Sequence, residues 1–211
     1  KRQVLGNPIG DCCGGMQVHR ANYLGAEHDG VMLNEKKPLP FGRPAGRVYR
    51  KEQEANFELI RQLNGLSAVE YPADPAVRAR IKAYELAFRM QMAVPEVMQL
   101  NQETKATESL YGLDADKTRP FGQLCLTARR LAERGVRFVQ LYHHGWDSHS
   151  KLRVNHSSLT EKVDKPIAGL LKDLKQRGLL DETLVVWATE FGRTPGAEKS
   201  DGRDHHPYGF S

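Results

Sequence analysis

The chain has 211 residues, 39% of them apolar and 27% charged, the composition of one ordinary globular domain with its own core. No run of about 18 apolar residues occurs, so no segment reads as a membrane span. The net charge is +5, and residues 1–50 carry most of it, with eight Lys and Arg against four Asp and Glu. That excess has neither a compact basic run nor interleaved aromatics, so it reads as a solvated face, and no nucleic-acid partner is expected.

Residues 1–50 hold Asn7-Pro8, Gly14-Gly15 and Gly42-Arg-Pro-Ala-Gly46 without a sustained period, and read as an irregular basic loop region. Cys12 and Cys13 are adjacent, which is neither a zinc spacing nor an easy disulfide geometry, and a structural or incidental role is expected. Residues 51–134 are expected to be mainly helical. Phe57, Leu59, Ile60 and Leu63 predict a helix from Glu52 that ends near Asn64-Gly65. Asp74-Pro75 supplies an N-cap followed by proline and opens a helix to about Met92, with Val77, Ile81, Tyr84, Leu86, Phe88 and Met92 as core. Met90, Met92 and Met98 are read as gap-filling core. Two short helices follow near 95–100 and 102–111. Phe121 to Arg134 is a strong amphipathic helix closed by Gly135, with Cys125 on its apolar side.

Residues 135–211 read as a βαβ unit. Val136 to Tyr142 is the first strand, and Ser158 with Glu161 has the form of a capping box for a helix from about 159 to Arg177. Leu159, Val163, Ile167, Leu170, Leu171 and Leu174 form its stripe, a kink is expected at Pro166, and Gly178 is the stop. Thr183 to Thr189 is the second strand. Strands joined by such a crossover are parallel and right-handed, so their carboxyl ends share one sheet edge, where ligands of open α/β sheets bind.

That edge would gather Asp147, His149, Glu190, Asp204, His205 and His206. Oxygen and imidazole donors without a thiolate suit Zn²⁺, Mn²⁺ or Mg²⁺ in a hydrolytic site better than a structural zinc. Arg193 and Arg203 have planar forks suited to an anionic group. The spacing does not choose between His205 and His206. His143 and His144 are less favoured as ligands, and His19, His28 and His156 are read as incidental. Ser148 lies between Asp147 and His149 in sequence, where no nucleophile relay can form, and no glycine-rich phosphate loop is present.

The strings Ala83-Tyr-Glu-Leu-Ala-Phe-Arg-Met-Gln91, Cys125-Leu-Thr-Ala-Arg-Arg-Leu-Ala-Glu-Arg-Gly-Val-Arg-Phe-Val-Gln-Leu-Tyr142, Gly145-Trp-Asp-Ser-His149, Glu190-Phe-Gly-Arg-Thr194 and Gly202-Arg-Asp-His-His-Pro207 resemble domain-of-unknown-function family 1501, a sulfatase-like branch of the alkaline phosphatase superfamily. The resemblance implies a three-layer α/β/α sandwich with a mostly parallel sheet, in exported, periplasmic bacterial proteins. Asp147, His149 and His205 or His206 resemble one superfamily metal site, and Glu190 the acidic ligand of a second. Phe191 stands where alkaline phosphatases carry the next histidine. The first-strand aspartate and its nucleophile have no match. They are expected upstream of Lys1, so the chain is read as a single partial domain that is inactive alone.

The expected function is metal-dependent hydrolysis of sulfate or phosphate esters, on an anionic substrate such as a sulfated or phosphorylated glycan. Asp147, His149, Glu190, His205 and His206 are the candidate metal ligands and Arg193 the anion-steadying residue. The alternative is an exported, non-catalytic metal- or glycan-binding module that keeps the same fold.

Overall fold

The computed structural model describes residues 2–5, 23, 30–33, 50–75, 77–78, 81–82, 84–85, 96–189, 192–197 and 200–208. The chain divides into two compact units, Lys1–Asn101 with Arg130–Tyr142, and Gln102–Arg129 with His143–Ser211.

The first unit contains a three-stranded sheet in the order β2-β1-β3. Strand β1 is Arg2–Leu5, β2 is Val31–Leu33 and β3 is Phe138–Leu141. Both pairings are parallel, with Gln3 opposite Val31 on one side and opposite Val139 on the other. β3 was expected, with looser ends. β1 and β2 correct the reading of residues 1–50 as loop throughout. They are four and three residues long, too short for a period of two to register in the sequence, and parallel pairing with distant partners is what makes them strands.

Helix α1, Arg50–Glu70, runs past the stop expected at Asn64-Gly65. One interior glycine costs only about 1 kcal/mol relative to alanine, and Leu66 to Val69 carry the helix on. The Arg61 guanidinium donates to both carboxylate oxygens of Glu58, at 2.8 and 2.7 Å, and holds that carboxyl down at about 2. Asp74 opens the next helical stretch, its Oδ1 accepting the Val77 N–H at 3.4 Å. Leu86, Phe88, Met90 and Met92 lie outside the described residues, as do His19, His28, Cys12 and Cys13.

The second unit is built on helices. Helix α2, Lys105–Leu110, is capped by Thr104, whose Oγ1 accepts the Thr107 N–H at 3.1 Å. Helix α3 is Arg119–Glu133, of which all but the last turn belongs here. It buries Phe121, Cys125, Leu126 and Ala128. Burial pushes the Cys125 thiol up to about 12, so it packs as a small apolar group and is not a nucleophile.

Helix α4, Leu152–Gln176, starts about two turns before the expected site. Ser158 and Glu161 lie inside it, and Glu161 instead receives Lys117 Nζ at 2.7 Å. The true start is Lys151, in the left-handed region at φ 51°, whose N–H is accepted by Asp201 Oδ1 at 2.6 Å. A cap from 50 residues downstream leaves no local signature. Leu159, Val163 and Leu174 of the expected stripe are buried, each contributing roughly 1.5–3 kcal/mol. Pro166 is buried within the helix, and Gly178 follows its end at φ 69°.

Between α3 and α4 lies a buried ionic network. Arg129, 3% exposed, places Nη2 2.8 Å from Glu103 and Nε 3.0 Å from Asp173. Tyr111 donates its hydroxyl to Asp173 at 2.9 Å, and Arg177 Nε donates to the other Asp173 oxygen at 2.7 Å. Every charge has an opposite partner, the condition under which buried ions are tolerated.

The expected second strand, Thr183 to Thr189, is not a strand. Leu184, Val186 and Trp187 are exposed, and no described segment pairs with the run. Apolar β-branched composition is a preference for a packed, pleated surface, and it makes no ladder without a partner. No helix among the described residues is long and apolar enough to cross a membrane.

Candidate metal centre

Two loops of the second unit build the site. The first, residues 143–150, leads into α4. Trp146 anchors it, its Nε1–H donating to His143 Nδ1 at 3.1 Å and its ring meeting His143 and His156 edge-on. Burial pushes the His143 pKa down, aided by the nearby charge of Lys162, so its Nδ1 has the lone pair that Trp146 needs. Gly145, at φ 93°, turns the chain tightly over Leu159, which a β-carbon would meet at 3.2 Å. Asn155 of α4 donates to the Ser150 carbonyl at 3.0 Å. His143 and His156 both pack against the Trp146 ring.

The second loop folds back on itself. The Thr194 N–H donates to the Asp204 carbonyl at 2.9 Å and the His206 N–H to the Gly192 carbonyl at 2.8 Å, while Arg193 and His205 form an antiparallel bridge. It is clamped onto the first loop. Arg203 N–H donates to the Ser148 carbonyl at 3.0 Å, and the Ser200 hydroxyl donates to the His149 carbonyl. Gly202 lies so close that a β-carbon would fall 2.0 Å from the His149 carbonyl carbon, which explains a glycine there.

This clamp brings Asp147, His149 and His205 together, one donor atom of each lying within 4.8 Å of the others. Both His149 Nε2 and His205 Nε2 stand 3.1 Å from Asp147 Oδ1. On the far side of its ring, His149 Nδ1 is 3.0 Å from Asp204 Oδ1. Hydrogen bonds from His205 and then Arg193 hold the Asp147 carboxyl below its usual range, so it is anionic near neutrality. All three residues are open to solvent, with side chains 62%, 51% and 45% exposed for Asp147, His149 and His205.

The arrangement fits a divalent cation. An imidazole whose Nδ1–H is given to Asp204 turns the Nε2 lone pair toward the Asp147 carboxylate. Two lone pairs 3.1 Å apart are held by a proton or by a cation between them. Ligand atoms bound to zinc at about 2.1 Å stand roughly 3.0–3.4 Å apart, which these separations match.

Of the expected ligands, then, the geometry gathers Asp147, His149 and His205. It favours His205 over His206, whose side chain is not part of the cluster and whose backbone serves the loop. Glu190, with Phe191, lies outside the described residues. Arg193 is at the site, with Nη2 donating to Asp147 Oδ1 at 2.6 Å. What unites the two loops is the pair of bonds from Arg203 N–H to the Ser148 carbonyl and from the Ser200 hydroxyl to the His149 carbonyl, in place of a second strand end. Asp204, noticed in the sequence only as one donor among several, stands behind His149 with Oδ1 3.0 Å from Nδ1, where an outer carboxylate can orient the ring.

No curated protein and no solved structure matches the chain. The sequence profile of the family described as protein of unknown function DUF1501 matches residues 1–211, and the chain belongs to that family.

Proposed function

We propose that this chain carries the cation site of a metal-dependent hydrolase of sulfate or phosphate esters, on a three-layer α/β/α fold. The observation that supports the reading best is the convergence of Asp147 Oδ1, His149 Nε2 and His205 Nε2, with Asp204 behind His149. Two imidazoles and one carboxylate leave a coordination position open, as catalytic zinc sites do and closed structural sites do not. The parallel pairing of β1 with β2 and with β3 supports the fold.

Asp147, His149 and His205 would hold the ion. Bound there, a divalent cation supplies Lewis acidity toward an ester oxygen and lowers the pKa of a bound water. Asp204 keeps the lone pair of His149 Nε2 turned toward the ion. Arg193 presents a planar fork, the geometry that matches a tetrahedral oxyanion in bidentate fashion. The exposure of all three ligand residues leaves room for a large substrate such as a sulfated or phosphorylated glycan.

The same exposure, with Phe191 after Glu190, favours a second reading, a module that binds metal or glycan without turnover. The deciding experiment follows 4-nitrophenyl sulfate and 4-nitrophenyl phosphate with metal-loaded full-length protein and its His205→Ala variant. Metal-dependent release that the variant loses supports the hydrolase. A fully loaded parent that turns over neither ester points to the binding module.

A further inference from the structure

Asp147 Oδ1 is shared by three groups. Arg193 Nη2 lies 2.6 Å away, and His149 Nε2 and His205 Nε2 each lie 3.1 Å away. Those two nitrogens and that oxygen are the atoms assigned above to a divalent cation. A cation seated among them would stand on the oxygen that the guanidinium already uses, and two positive groups on one carboxylate oxygen repel at that range. The Arg193 backbone is held in the loop by the pairing of its neighbours, Thr194 N–H to the Asp204 carbonyl and His206 N–H to the Gly192 carbonyl, so the side chain is the part able to move. Its Nη1 makes a longer bond, 3.4 Å, to the Arg203 carbonyl.

Resting on the metal-site reading, we infer that Arg193 and the divalent cation compete for Asp147 Oδ1, so that loading the cation releases the Arg193 fork to receive a sulfate-like tetrahedral anion. The two binding events are then coupled, and the coupling is reciprocal: an anion that draws Arg193 off Asp147 tightens the cation by the factor by which the cation tightens the anion. An empty site keeps its carboxylate neutralised, and anionic substrate is favoured where the ion is in place.

The test titrates Zn²⁺ calorimetrically into chelator-stripped full-length protein, in chloride and in sulfate at matched ionic strength, with Arg193→Gln alongside. Sulfate should tighten Zn²⁺ by about five- to tenfold in the parent, the lower end of ordinary coupling between two sites. Arg193→Gln should bind Zn²⁺ more tightly than the parent in chloride and gain nothing from sulfate. Weaker Zn²⁺ binding in Arg193→Gln would overturn the inference and make Arg193 a support for Asp147. Equal Zn²⁺ affinity of the parent in the two salts would overturn it as well, and that comparison decides alone if the variant does not fold. Each of those failures leaves the metal site standing. A parent that binds no Zn²⁺ in either salt removes the metal site and this inference together.

Discussion

The second unit holds two charged clusters of similar make-up and opposite design. Around Asp173, the side chains of Arg129 and Glu103 are 3% and 9% exposed, and each charge is neutralised by a neighbour on a packed helix. Around Asp147, the side chains are 40–62% exposed apart from Arg193, and the carboxylate faces two imidazoles and a guanidinium. The first cluster is closed and can accept nothing more. The second has its nitrogens directed at one oxygen and solvent on its open side, so it can take an ion. Charge alone does not distinguish them. Desolvation and the number of groups sharing one atom do.

The sharpest way to break the comparison is to remove one carboxylate from each cluster. Asp173→Ala takes from buried Arg129 one of its two carboxylate partners and from Tyr111 its acceptor, and losing one partner of a buried ion pair costs about 3–5 kcal/mol. Urea unfolding should show that loss, whereas Asp147→Ala should move stability by under about 1 kcal/mol. Equal effects would mean that the two clusters are not different in kind. Gly202→Ala should come next. A methyl group 2.0 Å from the His149 carbonyl carbon forces the loops apart, at a cost of about 1–3 kcal/mol, with metal affinity falling in the same titration.

Asp204→Asn keeps the size of the side chain but not its charge. Loss of such an outer partner should weaken metal binding about 10- to 100-fold with little change in the melting temperature. Unchanged affinity would remove Asp204 from the site. The pH responses are smaller. Burial, then the Asp173 charge, pushes the Tyr111 hydroxyl above its ordinary value of 10.0. A raised pKa gives stability that is complete below 10 and is lost as pH climbs past it, so alkaline melts should fall there and Tyr111→Phe should flatten the decline. Glu58 has the opposite sign. Its carboxyl is lowered from 4.5 to about 2 by Arg61, so that pair supports α1 above 4.5 and fades as pH drops toward 2. The fading should be slight, since the pair is on the surface, and Glu58→Gln should abolish the acid-side difference.

How far the site could be read from the sequence follows from the range of the forces involved. Asp147, His149 and His205 were legible because ligand types stand close together in short glycine-containing stretches, Gly145 to His149 and Gly202 to His206. The choice of His205 over His206 was not, because it depends on the bridge between Arg193 and His205. Leu159, Val163 and Leu174 of the α4 stripe were legible from its period, whereas Leu171 is exposed. The start of α4 at Lys151 was not legible, since Asp201 supplies the cap from the far loop. Arg129 is brought inside by Glu103 and Asp173, both distant in sequence, so no local pattern marks its burial. The run 183–189 misled in the other direction, having strand-forming residues that join no strand ladder among the described residues.

The central claim is that Asp147, His149 and His205 hold a divalent cation, and elemental analysis tests it most directly. Full-length protein purified without chelator should hold close to one equivalent of Zn²⁺, Mn²⁺ or Mg²⁺ at this site, and a still-folded Asp147→Ala, His149→Ala double variant should lose it. A parent that retains no metal even after each ion is added would contradict the claim.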